Sequence, residues 1–200
     1  MVKAPARNDL ATDPVGSALS SGDSGVLGLI DGTRITYRPI RPQDATALQR
    51  FHHRLSDHAV RLRFFSAKPE LSDKKAGYFT HVDGVNRFAL VALDPGCAEE
   101  IIAVASFDRE GETDRAEYAA AVVDAWQGKG LGLALTRALI EAALRRSVRT
   151  FTGLVLPENA RMLNLLRDLK LPERLRYEDG VEFVEISLLP EHPNPGQQTD

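Results

Sequence analysis

The sequence predicts a mixed α/β domain, built as a central twisted mixed sheet of about seven strands flanked by helices. Three observations carry that expectation. Residues 121–144, "AVVDAWQGKGLGLALTRALIEAAL", run from a strand-like segment through three glycines into a strongly periodic helix. Two Asp-Gly dipeptides, Asp31-Gly32 and Asp179-Gly180, each sit between apolar runs and mark hairpins near both ends. Between the hairpins, helix-period and strand-period segments interleave, which places helices on the faces of one sheet.

The elements follow in order. "VLGLIDGTRITYRPIRP" reads as the first hairpin. "PQDATALQRFHHRL" puts Leu48, Phe51 and Leu55 at helical spacing, and Ser56 and Ser72 are suited to cap two further short helices. Three strands are expected in "RFALVALD", "IIAVASFD" and "RAEYAAAVV", the first two turning through Asp94, Pro95 and Gly96. The helix after the glycines aligns Leu131, Leu135, Leu139 and Ala142 on one face, with Arg137, Glu141 and Arg145 on the other. "TFTGLVL" is continuously apolar and reads as a buried strand ended by Pro157. A helix with Met162, Leu165, Leu166 and Leu169 at i, i+3, i+4, i+7 follows, and "RLRYEDGVEFVEISLL" closes the chain as a hairpin.

Two hundred residues with 43% hydrophobic and 26% charged content suit one globular domain. Residues 1–25 and 190–200 are polar and rich in small residues, Gly and Pro. They read as a disordered N-terminal tail and a flexible C-terminal tail around a domain over 26–189. A formal charge of −3 gives no electrostatic reason to expect nucleic acid. The single cysteine, Cys97, excludes an intrachain disulfide and a cysteine-rich zinc site. His52, His53, His58 and His81 show no standard ligand spacing, so no metal is expected. No apolar run is long enough to span a bilayer and the N-terminus lacks the apolar core of a secretory signal, so the expected location is cytoplasmic, with no membrane partner.

Glycines between a strand and a helix let the backbone approach a ligand closely, and the free N–H groups of the first helical turn favour an anion there. A Walker loop needs Ser or Thr after Gly-Lys, but Gly130 follows Lys129. A dinucleotide fingerprint needs a third glycine where Leu133 stands. "QGKGLG", residues 127–132, instead resembles the Gln/Arg-x-x-Gly-x-Gly/Ala pattern of the GNAT superfamily of N-acetyltransferases. "DGTRITYRPIRPQDATAL", "RLSDHAVRLRFFS" and "AEYAAAVVDAWQGKGLG" extend the resemblance to the acetyltransferase domain of bacterial protein lysine acetyltransferases.

That resemblance implies a GNAT fold, acetyl-CoA as co-substrate, and a lysine of a protein substrate as acceptor, an acyl-CoA synthetase being one such target. Gln127, Gly128, Lys129, Gly130, Leu131 and Gly132 would form the pyrophosphate cradle. Ala121, Val122 and Val123 would pair with the pantetheine arm through their backbone, one amide also polarising the thioester carbonyl. Asn159 would meet the donor at the next helix start, or serve as a plain N-cap. Glu117, ten residues before Gln127, falls where the resemblance implies a general base; strand alternation sets it beside Ala119, Ala121 and Val123. Asp108 and Glu110 are the next candidates. "NARMLNLLRDLKLP" holds no tyrosine, leaving water, or direct loss of the thiolate, in place of a tyrosine general acid. Arg61 and Arg63 in "RLRFF" are candidates to bind the protein substrate or a cofactor phosphate, with a solvated helix face as the safer reading, and Trp126 reads as a packing residue. A small-molecule amine as acceptor, or a catalytically silent acyl-CoA-binding sensor, stays open as the alternative.

Overall fold

The computed structural model describes residues 21–64 and 70–189. Its eight strands are β1 (Gly25–Gly28), β2 (Arg34–Pro39), β3 (Arg87–Asp94), β4 (Cys97–Arg109), β5 (Arg115–Val122), β6 (Thr150–Val155), β7 (Glu173–Glu178) and β8 (Val181–Ser187). Five helices accompany them: α1 (Ala45–Arg54), α2 (Asp57–Phe64), α3 (Asp73–Thr80), α4 (Leu131–Arg145) and α5 (Ala160–Asp168). All strands join one sheet in the order β1-β2-β3-β4-β5-β6-β8-β7. Every neighbouring pair is antiparallel except β5 with β6, which α4 connects as a crossover. The mixed, helix-flanked sheet is the expected one, with one strand more than the approximate count.

Local chemistry accounts for the elements. Ser56 Oγ accepts from Ala59 N at the start of α2, and Ser72 Oγ from Lys75 N at the start of α3. The last hairpin turns on Asp179 and Gly180, both left-handed (φ 50° and 83°), the geometry a two-residue turn demands. The first hairpin differs: only Gly32 is left-handed, and Leu29 N bonds to Thr33 O across a longer loop. On α4, Leu131, Leu135, Leu139 and Ala142 are all buried against the sheet, as their spacing predicts.

Two expectations are corrected. Residues 1–20 and 190–200 lie outside the described residues, but the stretch from 21 to 25, read as part of the tail, is structured. Ser21–Asp23 forms a 3-10 turn and Asp23 is only 1% exposed, held by Arg145 and Arg146 at 2.7 Å each. An ion pair across more than a hundred residues leaves no local pattern to read. The other concerns β6, which is not buried throughout: Leu154 is 53% exposed. The pairing of β5 with β6 stops at Glu117–Thr152, so Leu154 lies past the point where the strands part.

Candidate active site

β5 is the centre of the site. Over its whole length it pairs with β4, but only Arg115, Ala116 and Glu117 pair with β6. Beyond Glu117 the two strands splay and the β6 side of β5 opens. Val123 N donates to Ile102 O of β4 at 3.0 Å, so alternation turns the backbone of Ala121 and Val123 towards β4. Ala120 and Val122 therefore present their backbone groups to the opening. The backbone role expected of Ala121, Val122 and Val123 is corrected accordingly: only Val122 among them faces the cleft, and Ala120 is its partner there. The Ala121 side chain still lines the cleft, whereas Val123 is buried.

The cleft between the splayed strands has a volume of about 960 Å³. α2 supplies one wall, the glycine loop and the first turn of α4 another, and the start of α5 a third. Gly128 and Gly130 have φ of 74° and 83°, which side-chain-bearing residues rarely adopt. Gly130 is the N-cap of α4 and carries no side-chain cap; the first intrahelical bond is Ala134 N to Gly130 O. The amides of Leu131, Gly132 and Leu133 thus precede any intrahelical acceptor and sit at the positive end of a fifteen-residue helix. Gly132 is needed for a different reason: a Cβ there would stand 3.0 Å from Leu165 Cδ1 of α5. Such a loop fits a pyrophosphate.

Gln127, Gly128, Gly130, Leu131, Gly132 and Asn159 all line this cleft. Gln127 acts as a brace. Its Nε2 donates to Val122 O at 2.8 Å and its Oε1 accepts from Arg161 of α5, tying the strand end to the next helix start. Asn159 Oδ1 accepts from Met162 N at 3.1 Å, so it is the N-cap of α5 and a cleft residue at once. Lys129 is not among the residues that line the cleft; its Nζ lies 4.6 Å from the ring centroid of Trp126, which packs against the core and lines the cleft.

Glu117 is exposed and lines both the cleft and a second cavity of about 220 Å³ under α1 and α3. The two cavities share Leu55, Arg63, Glu117 and Ala119 to Ala121, so they meet at Glu117. Asp108 lies directly across the β4–β5 ladder from it, 3.4 Å from Arg87 Nε. Glu110 is turned to other work, accepting from Thr152 Oγ1 at 2.6 Å. Tyr118, the neighbour of Glu117, points to the other face of the sheet. Its hydroxyl lies 2.7 Å from Thr136 Oγ1 of α4, and burial pushes its pKa up to about 12.

Arg63 is the residue whose preferred reading, a solvated helix face, the structure corrects. The periodicity of α2 is weak, and a short basic helix reads as solvated. Instead Arg63 stands at the junction of the two cavities; burial lowers its pKa while the nearby Glu117 carboxylate raises it. Arg61 does remain exposed and bonds Glu158 at 2.9 Å, bridging α2 to the α5 side of the cleft. Among the described residues, no group of three or more His, Cys, Asp or Glu could hold a metal ion. No helix among them is long and apolar enough to cross a membrane.

Residues 34–171 match the acetyltransferase (GNAT) domain family, and the chain belongs to that family. It is an acetyltransferase that uses acetyl-CoA, consistent with the cradle and cleft. An acetyltransferase of Pseudomonas aeruginosa is 29% identical over 150 residues, covering 74% of this chain and 80% of that protein. Acetyltransferase Pat of Mycolicibacterium smegmatis is 30% identical over 154 residues, 76% of this chain but 45% of that longer protein. The crystal structure of the GNAT domain of S. lividans PAT superposes with a TM-score of 0.78 at 34% identity, covering 84% of this chain and 98% of that one.

Proposed function

We propose that the protein transfers the acetyl group of acetyl-CoA to a lysine amine of a protein substrate, with Glu117 as general base. The observation that supports this reading is that Glu117 lines both the donor cleft and the second cavity, so that an amine held in one and a thioester held in the other would meet beside it. The resemblance of the N-terminal segments and of residues 116–132 to bacterial protein lysine acetyltransferases, and the likeness to the PAT domain, favour a protein lysine as acceptor.

The roles follow from placement. Bound acetyl-CoA supplies an activated acyl group with a thiolate leaving group. The amides of Leu131, Gly132 and Leu133 hold its pyrophosphate. Ala120 and Val122 pair with the pantetheine arm, and the Val122 N–H polarises the thioester carbonyl. Glu117 takes a proton from the lysine ammonium, directly or through one water. The free amine then attacks the carbonyl carbon; the C–N bond forms, the C–S bond breaks, the thiolate leaves, and the surplus proton on the new amide nitrogen passes through water to the thiolate. Tyr118 takes no part in protonating it, because its phenol is engaged with Thr136 on the far side of the sheet.

Replacing Glu117 by Gln tests the base. We expect kcat/KM to fall by about 10²–10³, with CoA affinity by calorimetry unchanged. Unaltered turnover with an unaltered pH profile would remove Glu117 from the mechanism. Labelled acetyl-CoA and a protein extract, followed by mapping of the modified amines, tests the acceptor: label confined to small amines would overturn the lysine reading.

A further inference from the structure

The face of the sheet that carries Glu117 is covered over only half its width. α1 stands on β4 and α2 on β5, whereas none of the described helices stands on the continuation over β6, β8 and β7, although Thr152 within it is buried. Ladder register places one row of residues across it, Glu117, Thr152, Glu185 and Arg174, and two positions along a second row, Leu154, Phe183 and Arg176. Leu154 is exposed beside the point where β5 and β6 part, and Arg174 and Arg176 are exposed on the edge strand. Arg176 lies over the Phe183 ring, 5.3 Å from its centroid. Glu185 in this patch is bonded by Arg115 at 2.9 Å and also feels the charges of Arg174 and Arg176, and Glu110 accepts from Thr152 Oγ1 beside it. Glu178 lies beyond Arg176 at the hairpin end. No salt bridge among the described residues involves Arg174 or Arg176. A chain with formal charge −3 thus presents one outward arginine in register with its proposed base, and a second beside an apolar pair in the adjacent row.

We propose that this open face docks the acceptor polypeptide, and that the protein selects lysines with an acidic side chain about four residues away. The inference rests on the lysine reading above and adds the recognition rule. Strands are spaced by about 4.8 Å, so three strand steps set Arg174 roughly 14 Å from Glu117, and an extended peptide rising about 3.3 Å per residue covers that in about four residues. With the lysine at Glu117, the intervening residues cross Thr152 and Glu185, flanked by Leu154 and Phe183 of the next row, and the acidic group reaches Arg174 and Arg176. Salt bridges between arginine forks and carboxylates give such a surface its specificity.

The test uses synthetic peptides with one central lysine and glutamate, glutamine or arginine four positions before or after it, assayed with the full chain and with its Arg174→Glu/Arg176→Glu variant. We expect the glutamate peptide, on one side of the lysine, to show a KM about tenfold below the arginine peptide with the wild-type chain, and that order to reverse in the variant. The KM for acetyl-CoA and kcat should not move. The milder Arg174→Gln/Arg176→Gln variant, expected to erase the preference, serves if charge reversal disturbs the edge strand. Equal KM values across the wild-type series, or a preference that survives both variants, would overturn the docking surface while leaving lysine acetylation standing. Acetylation of small amines with no lysine peptide modified would instead overturn the lysine reading, and the surface with it.

Discussion

Gly130 shows how much one residue carries. Its φ of 83° is the conformation that a Cβ penalises, its carbonyl accepts the first bond of α4, and a Cβ would stand 3.2 Å from Ile30 Cδ1. Ile30 in turn belongs to the first hairpin loop and donates its N–H to Lys129 O at 3.5 Å, so that loop leans on the cradle. Gly130→Ala should therefore cost about 1–2 kcal/mol through left-handed strain. It should also raise the KM for acetyl-CoA several-fold, while kcat changes less. Thermal melts and steady-state kinetics read the two separately, and a variant with wild-type KM would show that the loop amides do not hold the donor. At this scale much was legible. The glycines announce themselves by type, and the face of Glu117 follows from strand alternation. Arg63 was legible only as a basic residue able to meet substrate or phosphate, because its place at the cavity junction is set by how α2 lies on β5, a tertiary fact with no sequence period.

Elements were legible where periodicity and capping agree, and illegible where one strand serves two neighbours. α4 has both an apolar stripe and a punctuated start, and it appears where predicted. β6 reads as buried from its composition, yet Leu154 is exposed because β5 diverges from it; the divergence is a property of the pair. The backbone polarity of β5 was misjudged for a related reason. Side-chain alternation can be read from a sequence, but which amides face which neighbour requires the register with β4. α5 offers the element-scale prediction. Asn159 caps it through Met162 N and also lines the cleft, so the two roles need separating. Asn159→Ala should destabilise the protein by about 1 kcal/mol, and Asn159→Ser, which keeps a cap acceptor, should restore most of that. If Asn159 also touches the donor, the serine variant keeps an elevated KM for acetyl-CoA despite its recovered melting temperature. A KM that returns with stability would reduce Asn159 to a cap.

Across the whole molecule, carboxylates tie segments together, distant ones at Asp23 and neighbouring ones at Asp44 and Asp83, and those ties set the response to acid. Burial alone would push the Asp23 carboxyl up, but hydrogen bonds from Arg146 and Arg145 reverse this and hold it below the ordinary 3.8. Burial likewise opposes, and Arg38 overcomes, at Asp44, while the N–H groups of Arg87, Val85 and Asn86 do the same for Asp83. All three values are lowered on folding. As pH falls, the unfolded chain takes up these protons first, near about 3.9, so the stabilisation is complete above that pH and drains away as pH drops through the depressed folded-state values. The melting temperature should accordingly be flat from neutral pH to about 5 and fall steeply below about 4. Asp23 is the largest single contributor expected, since its side chain is fully buried between two guanidinium groups and Arg146 is also fixed over the Phe88 ring at 3.8 Å. Asp23→Asn should cost about 3 kcal/mol at neutral pH, because it leaves Arg146 with its partner charge removed. The same substitution should flatten the acid limb, the variant having one fewer depressed carboxyl to protonate. Melting curves of the two proteins that stay parallel from pH 6 to 3 would show that the N-terminal turn does not govern acid stability. Curves that converge would establish that the stretch before β1 belongs to the folded unit.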